Sequence, residues 1–442
     1  MKKIILSTLV LGMTCLGAGA QNSMQLEARY GHSSTNSPYS QYGLGAIADQ
    51  AGSVSRGMNG LGIAYSQHNV VNNLNPASYS EIDSLSFIFD VGVSGQLSNF
   101  KEGKKRLNAR SASFEHVIAG FRLAPHLGMS FGILPYTNVG YNFSTTERIN
   151  SSSTYSSYYR GTGGVHDAYL GLGWQPFKGV AFGVNGGYLW GSYDRSVVNS
   201  YSESSANTLS KYYSASINSY KLDFGAQLSA NITKKDKLTL GLTYGMGHQI
   251  GGKPTCLVIS NNAETSVADT TSYPRQGNLQ LEIPTTFGAG LMWNHRGKVK
   301  VGADFQLEKW GSVEMPEYGS VGGVTDYRLQ TGLFKDRKKL TLGTEICPDE
   351  TGRRFINRVR FRAGVSYATP YLIINGQDGP KELSASIGLG LPIVNGWNNR
   401  SVLNISAQWV RQESKMFITE NAFRINIALT FNEGWFAKWK VE

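Results

Sequence analysis

The stretch Lys298-Val299-Lys300-Val301-Gly302-Ala303-Asp304-Phe305-Gln306-Leu307-Glu308 decides the fold of this chain. Every second residue from Val299 to Leu307 is apolar, and the residues between them are charged, amide-bearing or glycine. Residues two apart in an extended strand point to the same side, so this stretch predicts a strand with one apolar and one polar face. The same alternation recurs over 238–244 and 423–431, and from 84 to 431 it comes in segments of roughly ten residues.

Strands of this kind, repeated along most of a chain of 442 residues, predict an all-β protein. Lipid on the outside and a polar lumen on the inside suit the two faces, provided that the sheet closes and leaves no edge unpaired. We therefore predict a transmembrane antiparallel β-barrel of about 14 strands. The predicted strands span 84–98, 108–124, 127–147, 160–175, 179–197, 212–232, 237–252, 278–294, 297–312, 337–346, 357–374, 382–394, 401–413 and 421–432.

The predicted connections alternate between short and long, which is typical of outer-membrane barrels with short periplasmic turns and long external loops. An even number of strands then places both termini in the periplasm of a Gram-negative cell. Tryptophans near predicted strand ends fit the two membrane interfaces. The short connections are 125–126, 175–178, 234–236 and 295–296, and the long ones are 148–159, 198–211, 253–277 and 313–336. The interfacial tryptophans are Trp174, Trp293, Trp310, Trp397, Trp435 and Trp439.

Residues before the first strand fall into two parts. Residues 1–20 combine two early lysines, a short apolar run and a small-residue cleavage site, so they predict a signal peptide. Residues 21–83 are rich in Ser, Asn and Gly and lack sustained alternation, and we predict that they form an N-terminal plug inside the barrel. The alternative is a disordered periplasmic tail. The barrel itself is predicted to span 84–442.

Composition argues against several other classes of protein. The formal charge of +11 is not concentrated in a recognised nucleic-acid-binding module, so no nucleic-acid partner is predicted. The seven histidines are scattered without metal-ligand spacing, and no Ser/His or Asp/His set accompanies them. We therefore predict neither an enzyme nor a cofactor or metal site. Cys256 and Cys347 lie far apart in the sequence, which disfavours a disulfide between them.

Motifs near the N-terminus resemble those of a known family. The stretch Ser55 to Ala64, followed by Asn73-Leu74-Asn75-Pro76-Ala77-Ser78, resembles the plug of the FadL/TodX-like long-chain fatty-acid and hydrophobic-compound transporters. Later segments, among them 343–348, 362–367, 374–376, 388–392 and 432–436, resemble the Bacteroidetes branch of this family. The resemblance implies a fourteen-stranded barrel with a plug that carries the motif Asn75, Pro76 and Ala77. It also implies import of hydrophobic small molecules, although some relatives act in secretion or attachment machinery.

The resemblance also directs attention to the third strand, in which the family carries a kink. Pro135 lies in the middle of this predicted strand, and Gly132 precedes it. Proline lacks the N–H that a neighbouring strand needs, so it is rare inside a central strand. We hypothesise that Gly132 and Pro135 open a lateral gap beside the plug, through which a solute leaves sideways. The alternative is a harmless bulge.

A second candidate site is an arginine triplet at alternate positions, Arg358, Arg360 and Arg362. Alternation predicts that all three face the lumen, where a guanidinium holds a carboxylate with two hydrogen bonds. They are therefore candidates for binding a fatty-acid head group. The alternative is charge pairing with lumen carboxylates such as Asp304 or Glu308.

Two functions remain open at this stage. The first is an outer-membrane channel that takes up hydrophobic, fatty-acid-like molecules. The second is a non-transporting barrel that docks protein partners of a secretion or attachment machinery. The expected partners are a hydrophobic small molecule, outer-membrane lipid and lipopolysaccharide, and the barrel-assembly machinery during biogenesis.

Overall fold

The computed structural model describes residues 35–150, 153–262, 264–265, 267–274, 277–321, 323–393, 401–414 and 417–434. The predicted signal peptide, the first part of the predicted plug, Trp397, Trp435 and Trp439 lie outside these residues. No helix among the described residues has the length and apolar character needed to cross a bilayer.

Fourteen antiparallel strands form a closed barrel, as the alternation predicted. Each strand pairs with its neighbours in the chain, and the last strand closes the ring by pairing with the first over Ser86↔Gly434 to Lys101↔Thr419. The strands are β1 Ser86–Glu102, β2 Lys105–Ala124, β3 Leu127–Arg148, β4 Thr154–Phe177, β5 Val180–Tyr201, β6 Thr208–Asn231, β7 Asp236–Gly245, β8 Thr286–His295, β9 Val299–Glu308, β10 Arg337–Ile346, β11 Arg360–Ala368, β12 Lys381–Ile393, β13 Ser401–Glu413 and β14 Thr419–Gly434.

The apolar and polar faces are distributed as expected for a barrel in lipid. On β9, Val301 and Phe305 are 45% and 44% exposed on the outer face. Lys300 and Asp304, which alternate with them, are 6% and 3% exposed in the lumen. Such residues recur around the ring, so the outer face carries an apolar belt that a lipid bilayer would cover.

The barrel is much taller on one side than on the other. Strands β3 to β6 have 22 to 24 residues, whereas β7 to β10 have 10 each. The tall strands take up most of the predicted loops 148–159 and 198–211, and only 149–153 and 202–207 remain as connections. In residues 154–159 and 198–201 Ser, Tyr and Asn predominate, so the apolar–polar alternation that predicts a strand is absent there.

Short elements close the end of the barrel that carries the long connections, which we call the outer end. The strands Thr255–Asn261 and Ala268–Tyr273 extend the sheet beside β6, and further hairpins pair His248–Gly251 with Leu281–Ile283, Met315–Val321 with Val324–Gln330, and Ile373–Ile374 with Gln377–Asp378. A 3-10 turn, Trp310–Ser312, follows β9.

At the opposite end the described connections 125–126, 178–179, 232–235 and 296–298 have two to four residues, and the longer connection 347–359 contains the short helix Phe355–Arg358. This connection also holds Cys347, and burial raises the pKa of its thiol. Cys256 lies in the extension beside β6. Both cysteines are free, so the structure contains no disulfide between them.

Residues 35–83 lie inside the ring, and we call them the inner segment. It contains two 3-10 turns, Pro38–Gln41 and Pro76–Glu81, the strand Ala46–Ile47 and the helix Ser53–Gly57. Most of its side chains are buried, including Met58 and Leu61 at 0% exposure. The segment touches β4 to β6 on one side and β12 to β14 on the other. Its described part thus occupies the lumen rather than extending from the barrel as a tail.

Candidate functional site

Lumen-facing glycines make room for the backbone of the inner segment. A Cβ atom on Gly241 of β7 would lie 2.1 Å from the carbonyl oxygen of Ile63, and one on Gly183 of β5 would lie 2.3 Å from the carbonyl carbon of Pro76. Neither separation is sterically allowed, so both positions require glycine for this close approach. Several glycines of the barrel therefore serve to hold the segment rather than to shape the strands.

The motif Asn75, Pro76 and Ala77 lies at the turn where the inner segment meets β5 and β6. The Asn75 side chain is fully buried. Its Oδ1 accepts a hydrogen bond from the Ala77 N–H at 3.1 Å, which caps the 3-10 turn Pro76–Glu81. Its Nδ2 donates to the carbonyl oxygen of Ile63 at 2.7 Å. Asn75 thus joins two parts of the inner segment, while Pro76 fills the space left by Gly183.

Charged lumen residues fix the inner segment to opposite walls. The Asp304 carboxylate of β9 accepts hydrogen bonds from the backbone N–H groups of Gly62 and Ile63, at 2.7 and 2.9 Å. The guanidinium of Arg56, 2% exposed, pairs with Glu115 of β2 at 2.7 Å. Arg56 lies inside the stretch that carries the family resemblance, and it was not singled out from the sequence. Its charge among small residues was the available signal, because a buried arginine requires a carboxylate partner.

The three arginines of the triplet do not lie on one strand. Arg360 and Arg362 of β11 face the lumen, as predicted, and both approach Glu345 of β10. The Arg362 Nε and Glu345 Oε2 atoms are 2.7 Å apart, and Arg360 also pairs with Glu350 at 2.5 Å. The prediction that all three arginines alternate along one strand is wrong for Arg358. That residue ends the helix Phe355–Arg358, and the strand begins only at Arg360.

The charge pairing left open for these arginines is present, but with different carboxylates. Asp304 binds backbone N–H groups of the inner segment, and Glu308 pairs with Arg337 at 2.8 Å. Glu345 instead receives Arg362 and also Lys300 of β9, whose Nζ lies 2.8 Å from Oε1. Lys300 in turn donates to Gln67 of the inner segment at 2.7 Å. The sequence did not identify Glu345, because its partners depend on the register between β9, β10 and β11.

The barrel wall is split between β2 and β3. These two strands pair only from Val117↔Ile133 to Ala124↔Leu127. No pairing with β3 is described for residues 105–116 of β2, although these residues continue to pair with β1. The split begins beside Gly132 and Pro135, and the β3–β4 register shifts between Pro135 and Thr137. The two residues singled out from the sequence therefore lie at the lower end of an opening in the wall.

The inner segment lies across this opening. Ala46 and Ile47 pair with Asn138 and Thr137 of β3, so a two-residue strand takes part of the place that β2 leaves. Gln50 donates its Nε2–H to the Pro135 carbonyl oxygen at 2.7 Å. On the other side, a further residue of the segment, Asn36, bonds through its side-chain amide to the carbonyl oxygen of Arg110 in β2, at 3.0 Å.

A cavity of about 330 Å³ adjoins the split and the inner segment. Leu134 and Tyr136 of β3 contribute apolar surface to it. Much of the remaining lining is charged, and it includes Asp49, Glu115, Asp167, Lys221, Asp223, Glu308, Arg337, Lys339, Glu382, Glu420 and Arg424. The lining is thus more charged than the mainly apolar pockets that proteins use for small hydrophobic ligands.

An apolar cluster closes the lumen above the cavity. Residues of the inner segment, of β3 to β6 and of the outer hairpins contribute to it. The buried members are Tyr39, Leu44, Val139, Tyr141, Val165, Leu189, Tyr193, Ala215, Ile217, Ile250, Leu281, Ile283, Trp310, Val313, Met315, Phe334, Leu372 and Ile374. Trp310, expected at the membrane interface, is 3% exposed within this cluster and does not face lipid. The outer end of the barrel is therefore packed with side chains.

Solved structures with this fold are channels for hydrophobic compounds. The Ralstonia pickettii toluene transporter TbuX is 14% identical, with a TM-score of 0.58 over 86% of this chain and 97% of that one. The Pseudomonas putida toluene transporter TodX is also 14% identical, with a TM-score of 0.57 over 88% of this chain and 99% of that one. The CymD monoaromatic hydrocarbon channel is 16% identical, with a TM-score of 0.57 over 88% and 98%. At these identities the likeness establishes a FadL/TodX-like fold.

Sequence comparison gives the family. Among curated proteins no match to the chain is found. The profile of one protein family, BamG, matches residues 8–442, which include the inner segment and all fourteen strands. The chain therefore belongs to the BamG family.

Proposed function

We propose that this protein acts in the machinery that assembles β-barrels into the outer membrane, where it docks protein partners rather than conducts a solute. The proposal extends the second of the two functions that the sequence left open. Its first support is the family name, in which Bam refers to barrel assembly, and the family profile covers nearly the whole chain. The likeness to hydrocarbon channels is a likeness of fold and is compatible with this role.

The observation that carries the proposal is the filled, charged lumen. The inner segment is fixed to β9 by Asp304 and to β2 by the pair Arg56–Glu115. Moving it aside would leave these buried charges without partners, which costs several kcal/mol for each charge. A hydrophobic solute would also have to replace the water around the charged groups of the cavity, at a further cost. This interior suits a rigid scaffold better than a passage for apolar molecules.

A surface suited to a protein partner is present above the lipid. Strands β4, β5 and β6, together with the extension Thr255–Asn261, border a cavity of about 930 Å³. Tyr158 and Tyr212 are 53% and 43% exposed on this tall wall. Exposed tyrosines are enriched in protein interfaces, because each combines a large apolar ring with a hydrogen-bonding hydroxyl.

The test is site-specific photo-crosslinking in cells. A photoreactive amino acid at Tyr158 or Tyr212 is expected to give adducts with other outer-membrane barrel proteins. The same amino acid at Leu242, in the lipid-facing belt, serves as the control. Depletion of the protein should also lower the amount of other folded barrels in the membrane. Unchanged levels of these barrels, together with no adducts above the Leu242 control, would contradict the proposed function.

A second candidate, uptake of fatty-acid-like molecules with lateral release, is favoured by the split between β2 and β3. The opening begins at Pro135, and the cavity reaches Leu134 beside it. Head-group binding by Arg360 and Arg362 has less support, because Glu345 approaches both guanidinium groups.

Uptake of a labelled long-chain fatty acid tests this candidate in cells that carry Pro135→Ala or the unchanged protein. Lateral release predicts slower uptake by the variant. Equal uptake, with the variant folded to the same level, would remove lateral release at Pro135. Equal uptake in cells without the protein would remove the channel function altogether.

A further inference from the structure

The outer face of the β1–β2 hairpin carries three cations that form no ion pair with a described residue. The hairpin turns at Gly103 and Lys104, and the register places Lys101 directly opposite Arg106 and Leu97 directly opposite Arg110. Lys101, Arg106 and Arg110 are all exposed. We call these three residues the basic stripe.

The stripe lies on the lipid-facing side of the wall. Residues two apart in a strand share a face, so Lys101 lies on the same face as Leu97, and Arg106 on the same face as Arg110. Leu97 is 55% exposed and Phe114, four residues below Arg110 on β2, is 42% exposed in the apolar belt. The stripe thus begins at the outer edge of the belt and rises roughly 13 Å above it, at about 3.3 Å per residue. This is the level at which the head groups of the outer leaflet meet a barrel.

No carboxylate neutralises the stripe among the described residues. None of the three side chains takes part in an ion pair with a described residue. The neighbouring strand β14 presents Thr419, Asn421 and Phe423 on the same face, because these residues pair with Lys101, Asn99 and Leu97. Glu420 points into the lumen, where it accepts a hydrogen bond from Ser37.

The arrangement is unfavourable unless an anion joins it. Like charges directly opposite each other on adjacent strands repel, and Lys101 and Arg106 form such a pair. The side of the hairpin that faces the split is partly covered, since Asn36 of the inner segment donates to the carbonyl oxygen of Arg110. A bulky ligand therefore has access to the stripe from the exposed outer face of the hairpin.

We propose that the basic stripe binds the phosphate groups of a phosphorylated glycolipid in the outer leaflet of the membrane. Arginine and lysine are the side chains that proteins use for phosphate, and each arginine can hold two phosphate oxygens at once. The acyl chains of the same lipid would lie along the apolar belt below, against Leu97 and Phe114. The stripe thus suits the phosphate groups of such a lipid, and the apolar belt below it suits the acyl chains. The inference depends on the long connections facing outward, and it is independent of the proposed function.

The experiment measures lipid binding to the full chain in nanodiscs of neutral phospholipid. The probes are bisphosphorylated lipid A and the same lipid after phosphatase treatment. The test variant is Lys101→Gln with Arg106→Gln and Arg110→Gln. The matched control is Lys335→Gln with Lys381→Gln, two exposed lysines that pair with Asp378 and Glu413. Heat-dependent gel mobility confirms that each variant forms the barrel.

The stripe is expected to bind bisphosphorylated lipid A at least about tenfold more tightly than the dephosphorylated lipid, in line with the attraction of several basic residues to an anionic surface. The triple variant should lose this preference, and the control should retain it. Equal affinity of the unchanged protein for the two lipids would overturn the proposal, as would a triple variant that keeps the preference. Equal competition by vesicles of an anionic phospholipid would overturn the assignment to a glycolipid.

Discussion

Glu345 of β10 and Arg362 of β11 lie side by side on the lumen face of adjacent strands, with 2.7 Å between Oε2 and Nε. Each side chain is 2% exposed. The second carboxylate oxygen of Glu345 accepts Lys300 of β9 at 2.8 Å. One carboxylate therefore joins three adjacent strands. Through Lys300 and Gln67 it also reaches the inner segment. The stability of the barrel and the position of its interior are thus linked at this residue.

Replacing this carboxylate should destabilise the protein strongly. Glu345→Ala leaves Lys300 and Arg362 buried without an opposite charge, and breaking such a pair costs about 3–5 kcal/mol. We expect this loss in the free energy of unfolding, measured in detergent with a chemical denaturant. Glu350→Ala is the control, since Glu350 is 50% exposed although it also binds an arginine, and such exposed pairs contribute about 0–1 kcal/mol. Equal losses for both variants would refute the role given to Glu345.

The close approach of Gly241 to the inner segment makes a second prediction. A Cβ atom at this position would lie 2.1 Å from the carbonyl oxygen of Ile63, so Gly241→Val must displace the segment. The barrel strands themselves tolerate valine well. We expect the variant to form a barrel by gel mobility while residues 35–83 become accessible to protease. Gly186→Val is the matched control, because Gly186 faces outward with no side chain within 4 Å of its Cβ position. Protection of the segment in both variants would contradict the prediction.

Asn75 is predicted to stabilise the inner segment through its amide group. Asn75→Leu removes the acceptor for the buried Ala77 N–H and one donor to the Ile63 carbonyl oxygen, which still accepts from the Gln227 Nε2–H at 3.1 Å. The unsatisfied Ala77 N–H costs about 1–3 kcal/mol. Thermal unfolding followed by circular dichroism should show a lower midpoint for this variant. The exposed Asn108, whose side chain bonds to Asn99, gives the control Asn108→Ala. A midpoint no lower than that of the control would exclude the capping role.

The sequence predicted the parts of the fold that alternation controls. The spans 337–346 and 401–413 agree with β10 and β13, and the strand count is correct. Alternation failed in two places. The first residues of β4, 154–159, are Thr, Ser and Tyr without apolar–polar alternation, so they read as a loop. The end of the helix at Arg358 continued the arginine pattern by coincidence.

The side-chain pairs within the lumen could not be predicted from alternation alone. The pairing of Glu345 with Arg362 follows from the register between β10 and β11, which one sequence does not reveal. The lateral gap hypothesised at Pro135 stays a prediction. The extent of the split between β2 and β3, and the two-residue strand Ala46–Ile47 that lies across it, depend on the path of the inner segment, whose sequence has no periodicity.

A final prediction concerns the apolar belt on the outer face, and it tests whether this belt is embedded in lipid. Leu242 is 47% exposed on the short side of the barrel, and it lies away from both ends of β7. Arginine at the middle of the lipid-facing surface costs about 2–4 kcal/mol, whereas near an interface the cost falls to about 0–1 kcal/mol. Leu123, 48% exposed at the end of β2, provides the interfacial comparison. We therefore expect Leu242→Arg to make folding into lipid vesicles less favourable by about 1–4 kcal/mol more than Leu123→Arg does. Similar costs at the two positions would mean that the belt does not lie at the depth that its apolar residues indicate.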